Sequence, residues 1–371
     1  MPAFVPPQRL LLGPGPSNVA PRVLQALAQP SIGHLDPQFV AMMDETKALL
    51  RRAFLTENAL TVPVSAPGSA GMETCFVNLI EPGDTVIVCQ NGVFGGRMKE
   101  NVLRVGATPV MVQDDFGKPV DLDKAQAALK ANPGAKALAF VHAETSTGAR
   151  SDAQALCALA REYGALSIVD AVTSLAGIEL RVDAWGCDAI YSGSQKCLSA
   201  PAGLSPISFG ERAVAALKAR KSPVQSWFLD LSLVMAYWQG EGARAYHHTA
   251  PINMLYALHE ALTAVHEEGL EKAWARHQTN HQRLRDGLQE MGLDLLVAEA
   301  ARLPQLNAVR IPDGVEDLPV RKRLLDEFNI EIGAGLGALA GKIWRIGLMG
   351  TNSRPEAVDA VLAALKTVLG R

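Results

Sequence analysis

Between about residues 59 and 210, short apolar runs recur along the chain: Leu60 to Val64, Thr85 to Cys89, Pro109 to Val112, Ala137 to Val141, Leu166 to Val169, Ala189 to Tyr191 and Ser205 to Phe209. Stretches of helical period separate them. Runs that stay apolar at successive positions suit strands buried on both faces, so the alternation predicts a wound, mainly parallel sheet wrapped by helices, an α/β fold. A longer helical pattern follows, Asn253 to His266 and Leu270 to Met291. Strands near Asn307 to Arg310 and Lys342 to Ile346 come next, and a last helix from Pro355 to Leu369. The expected division is an N-terminal arm over 1–20, a large domain over 21–268 and a smaller C-terminal α+β domain over 269–371. The arm is rich in Pro and Gly and must lie against something, a partner subunit being one choice.

Composition narrows the function. The 371 residues are 48% hydrophobic, enough for one large core and a smaller one. Basic and acidic residues nearly balance, 35 against 38, and no basic run or stripe is present. Nucleic acid and membrane surfaces are therefore excluded as partners. No apolar stretch reaches the roughly eighteen residues of a membrane span, and the opening Met1-Pro2-Ala3-Phe4 lacks the pattern of a secretory signal. The five cysteines, Cys75, Cys89, Cys157, Cys187 and Cys197, are scattered in apolar surroundings without C-x-x-C spacing. They read as core residues in a soluble, cytoplasmic protein.

Two residues carry the chemistry. Asp170 ends an apolar run, and Lys196 follows another in a Ser/Gly-rich turn, the only charged residue between Asp188 and Glu211. A lysine amine can form an imine with the aldehyde of pyridoxal 5'-phosphate, and a carboxylate at a neighbouring strand end can keep the pyridine nitrogen protonated. Opposite charges about 4 Å apart at an effective dielectric near 20 attract by ~4 kcal/mol, on the order of three pKa units. In a wound sheet the ligand crevice lies beyond the carboxyl ends of the strands, where both residues fall.

Other constellations fit around this pair. Pro67-Gly68-Ser69-Ala70-Gly71 lies between a strand and a helix, where backbone N–H groups and the Ser69 hydroxyl can surround a phosphate; a helix cap through Ser69 is the alternative. Gly13-Pro14-Gly15-Pro16-Ser17-Asn18 follows too few residues to be a dinucleotide loop. Phe94, in a glycine-flanked turn, offers a ring for stacking or for the core. Tyr246-His247-His248-Thr249 lacks the spacing of a helical zinc pair and a third ligand cluster, so no metal is expected; it reads as a polar loop whose hydroxyls reach an anion. Arg345, a charge in the apolar run Ile343 to Gly347, needs an anion: a substrate carboxylate or a structural acid.

Over nearly its whole length the chain resembles the alanine–glyoxylate and serine–pyruvate (serine–glyoxylate) aminotransferases of the class-V branch of fold-type-I pyridoxal phosphate enzymes. The resemblance rests on Gly13 to Asn18, Ile32-Gly33-His34, Glu144-Thr145-Ser146-Thr147-Gly148, Asp170-Ala171-Val172-Thr173-Ser174, Ser192-Gly193-Ser194-Gln195-Lys196, Tyr246 to Thr249 and Arg345 to Gly350. It implies that Lys196 carries the cofactor and Asp170 pairs with its ring nitrogen, with Val172 and Phe94 on the two ring faces. Thr145 and Gln195 would address the ring hydroxyl. Gly68 and Ser69 would hold the phosphate, joined by Tyr246 and Thr249 from the second subunit of a homodimer. Arg345 would take the substrate carboxylate, with Gly15 and Thr145 also at the substrate. Two positions depart from the animal enzymes: Pro67 stands where a serine contacts phosphate, and Phe94 where a tryptophan is usual. A Ser-Lys-Leu-like address is missing from the end, Leu369-Gly370-Arg371.

The expected reaction moves the amino group of a small L-amino acid, alanine or serine, to glyoxylate or pyruvate. Cysteine desulfuration would need a thiol in the later part of the chain, and no cysteine follows Cys197. The remaining alternatives are transamination from pyridoxamine to pyruvate and a catalytically silent cofactor-binding scaffold.

Overall fold

The computed structural model describes residues 1–238 and 244–371. A seven-stranded sheet forms its centre. Its strands are β1 (Leu60–Val64), β2 (Thr85–Gln90), β3 (Thr108–Gln113), β4 (Ala137–Val141), β5 (Leu166–Asp170), β6 (Ala189–Tyr191) and β7 (Ser205–Phe209). In space they run β1-β7-β6-β5-β4-β2-β3. Only β7 is antiparallel to its neighbours; the other pairs are parallel. Every residue of β1, β4, β5, β6 and β7 is buried, which is why these segments lack the polar alternation of a half-exposed strand.

Because β1 and β6 both oppose β7, β1 shares the direction of the parallel strands. The carboxyl ends of β1, β2, β5 and β6 therefore meet along one edge. Two helices start at that edge: α1 (Gly68–Leu79), directly after β1, and α2 (Val93–Arg104), directly after β2. Asp170 is the last residue of β5, in register with Tyr191, the last of β6.

A second core forms around a three-stranded antiparallel sheet with Ile343–Gly347 between Leu306–Arg310 and Gly333–Ala334. Leu284, Leu288, Trp344, Val358, Val361 and Leu365 fill it from the sheet and two helices, Leu270–Glu290 and Pro355–Leu369. The strands and helices begin and end within a residue or two of the positions the sequence pattern predicts. The arm joins this core, since Leu12 is fully buried in it and Leu10–Leu11 pairs in parallel with Ile330–Glu331. Residues 10–18 thus lie against their own chain, whereas residues 1–8 are exposed. Among the described residues no helix is long and apolar enough to cross a membrane.

Candidate active site

The edge shared by the strand ends encloses a cavity of about 170 Å³ lined by Gly68, Ser69, Phe94, Thr145, Asp170, Val172, Gln195 and Lys196, together with Pro67, Met72, Arg97 and Tyr191. A larger depression, about 900 Å³, lies elsewhere among Arg51, Arg52, Glu57, Glu267 and Lys272. Its charges are of both signs, and Glu267 already pairs with Arg22. Chemistry, not size, singles out the smaller cavity.

Asp170 is 3% exposed. One carboxylate oxygen accepts from the Val172 N–H and the other from the Tyr191 hydroxyl, each at 2.8 Å. Burial nevertheless raises its pKa to about 6, against the lowering effect of those two bonds and of Lys196 and Arg97. No cation lies within 4.0 Å of it among the described residues. A buried carboxylate in that condition gains from a positive partner such as a protonated ring nitrogen.

Lys196 is half-buried and donates to the Pro14 carbonyl at 2.5 Å. Desolvation lowers its pKa to about 8, with Arg345 and Arg97 acting in the same direction. The amine thus has an accessible neutral, nucleophilic form near neutral pH. Gly15 lies beside it with φ +108°, and a Cβ there would come within 2.7 Å of the lysine Cδ. The positive φ, a backbone that L side chains rarely adopt, favours glycine at this position, and a Cβ there would force the flexible Lys196 side chain to shift.

The rest of the lining offers complementary contacts. The residue before α1 is Pro67, which supplies no side-chain cap, so the first N–H groups of the helix are left for a ligand and the reading of Ser69 as a cap is overturned. Thr145 shares a hydrogen bond of 2.6 Å with Thr173. Among the described residues the buried Gln195 side-chain carbonyl has no hydrogen-bond partner, which leaves an acceptor for a ligand donor such as a ring hydroxyl. Phe94 is half-buried, with the Arg97 guanidinium 4.7 Å above its ring. This donor and acceptor set fits pyridoxal phosphate.

Arg345 does not line the cavity but reaches its edge through Thr145. Its side chain is held by the Ala334 carbonyl at 2.7 Å and the Thr145 carbonyl at 3.2 Å. Among the described residues no acid comes within 4.0 Å of it, so the alternative of a structural ion pair is not what the fold provides. Burial lowers its pKa to about 10, which leaves it cationic. Tyr246 and Thr249 stand apart from the cavity, both exposed and bonded to each other at 3.3 Å. His247 and His248 bond to each other, and His248 to Ser65, with no cluster suited to a metal among the described residues.

Tyr191 and Arg97 were not foreseen as site residues. Arg97 is one helical turn from Phe94, the i,i+3 spacing that puts two side chains on one face. Tyr191 ends an apolar strand, and nothing local marks its hydroxyl as a partner of Asp170.

The family profile described as Aminotransferase class-V matches residues 10–360. The chain belongs to the class-V aminotransferases. Among solved structures, that of an alanine–glyoxylate aminotransferase from Nostoc sp. superimposes with a TM-score of 0.97 at 48% identity, covering 100% of this chain and 97% of that one. An alanine–glyoxylate aminotransferase from Oryctolagus cuniculus is 41% identical over 98% of this chain and 93% of its own length. An (S)-ureidoglycine–glyoxylate transaminase from Bacillus subtilis (strain 168) is 39% identical over 98% and 91%. This class-V chain is accordingly an aminotransferase, and its family depends on pyridoxal phosphate.

Proposed function

We propose that this aminotransferase binds pyridoxal phosphate through Lys196 and transfers the amino group of a small L-amino acid, alanine or serine, to glyoxylate or pyruvate. The observation that carries the reading is the convergence of Lys196, Asp170 and the unpartnered Gln195 carbonyl on one cavity. When bound, the cofactor supplies an aldehyde that holds the amino group and a ring that accepts electrons.

The chain does the rest. Asp170 keeps the proton on the ring nitrogen. Gly68 and Ser69 present N–H and hydroxyl donors to the phosphate from the start of α1, and Phe94 and Val172 fix the plane of the ring. Arg345 binds the substrate carboxylate, which sets the orientation of the Cα–H bond. The Lys196 amine would take the substrate Cα proton and later return a proton. Two half-reactions in sequence predict ping-pong kinetics.

The exposure of Tyr246 and Thr249, which do not line their own cavity, supports a homodimer in which they serve the partner's site. The two hydrophobic cores support the division into a large and a small domain. Five free, buried cysteines support a reducing compartment, the cytoplasm.

Borohydride reduction of the holoprotein followed by peptide mass mapping should place the tag on Lys196. Loss of the imine absorbance should then follow addition of alanine or serine. Loss with pyridoxamine alone would favour that alternative donor, and no loss with any donor would favour a silent scaffold. A preference for aspartate would overturn the assigned substrate class.

A further inference from the structure

Glu144 is fully buried and precedes Thr145, a residue of the cavity lining, but does not line the cavity itself. One carboxylate oxygen accepts from the N–H and the hydroxyl of Ser146, at 3.0 and 2.6 Å. The other accepts from the N–H of Phe94 at 3.3 Å. The Ser146 hydroxyl in turn accepts from the N–H of Val93 at 2.9 Å. Glu144 and Ser146 together therefore supply the acceptors for the first two N–H groups of α2. The residue before that helix is Gly92, which can offer no side-chain cap.

The packing is built for this contact. A Cβ at Gly92 would collide with the Glu144 side chain and come within 2.6 Å of the Ser146 hydroxyl. The φ of Gly92 is −176°, an extended value open to any residue, so glycine is needed here for space alone. The intervening Thr145 accepts from Arg345 through its carbonyl and bonds Thr173, just past Asp170 and Val172, through its hydroxyl. One short segment thus ties the helix bearing Phe94 and Arg97 to the turn bearing Asp170 and to Arg345.

We infer that Glu144 is a positioning residue: its carboxylate, with Ser146, clamps the start of α2 so that the Phe94 ring is held over the cofactor. The inference rests on the proposed cofactor site. Burial raises the Glu144 pKa to about 7, against the lowering effect of its Ser146 bonds, which agrees with a carboxylate retained for its geometry at a cost in desolvation. Glutamine cannot reproduce the ionised form, which prevails above pH 7, because a carboxamide has one acceptor oxygen while the site presents donors at both positions, so one side must face N–H against N–H.

The test uses full-length E144Q and S146A, stripped of cofactor and titrated with pyridoxal phosphate, with thermal unfolding as a check on the fold. E144Q should weaken cofactor binding by about tenfold or more and reduce the circular dichroism induced in the bound chromophore, which reports how the ring is held. S146A, which leaves the Phe94 contact in place, should change both in the same direction by less. Should E144Q fail to fold, S146A decides by itself. Wild-type affinity and dichroism in either folded variant would overturn the role of Glu144 while leaving the cofactor site intact. Failure of the wild-type protein to take up pyridoxal phosphate would overturn the site reading, and the Glu144 role with it.

Discussion

Tyr191 donates its hydroxyl proton to Asp170 across two adjacent parallel strands, from one strand end to the next. The bond favours the ionised carboxylate that a protonated ring nitrogen requires. Removing the hydroxyl in Y191F should raise the Asp170 pKa by about one unit and weaken cofactor binding about twofold at neutral pH, approaching about tenfold below pH 6. The loss should grow at lower pH, where more of the carboxyl is protonated. Titration of the apoprotein with cofactor at several pH values checks this, and a loss that does not vary with pH would contradict it.

The guanidinium of Arg345 is held by two carbonyls and has no acid within 4.0 Å among the described residues, so it keeps its charge for a ligand. R345Q should lower kcat/KM by about a hundredfold, through loss of charge-assisted bonds of about 1.5–3 kcal/mol each to the substrate carboxylate. The change should fall mainly on KM, with the visible spectrum of the holoenzyme unaltered. R345K should recover little, because a point charge cannot make two parallel bonds. A spectrum altered as much as the kinetics would assign Arg345 to the cofactor instead.

Alanine at position 15 would meet the Lys196 side chain and add the strain of a positive φ, about 1–2 kcal/mol. G15A is expected to slow capture of pyridoxal phosphate by Lys196, read as the growth of the imine absorbance after mixing. Thermal stability should fall by only a few degrees. An unchanged rate would show that the lysine does not need this contact.

The pH dependence of cofactor capture follows from two shifted groups. Lys196 is lowered to about 8, so its neutral, nucleophilic fraction and the capture rate should rise with pH through that value. Asp170 is raised to about 6, so equilibrium affinity should decline as pH drops through 6 and the carboxylate is lost. For stability of the apoprotein the sign is opposite. A carboxyl whose folded pKa lies above its unfolded value contributes fully below the ordinary range, and that contribution disappears as pH rises through about 6. The difference in melting temperature between wild type and D170N should therefore shift against the wild type between pH 4 and 7. Buried His142 and His277, lowered to about 3 and about 4, act oppositely over part of that range but cancel in the difference.

The strands of the central sheet were legible because burial on both faces writes itself into consecutive residues, as in β4 and β5. Asp170 and Lys196 stood out for the same reason, as charges in stretches too apolar to be surface. Their meeting in one cavity follows from wound topology, which brings strand ends to a common edge. Local pattern carries this much because each position reports its own exposure.

Partnership between distant residues was decided only by the closed fold. The Tyr191 hydroxyl finds Asp170 because β6 pairs with β5 in one particular register. The first N–H groups of α2 find Glu144 and Ser146 some fifty positions downstream. That no acid among the described residues comes within 4.0 Å of Arg345 is likewise a property of what the small sheet packs against, Ala334 and Thr145, rather than of the run Ile343 to Gly347. A hydrogen bond depends on both its atoms, and the chain names only one of them at a time.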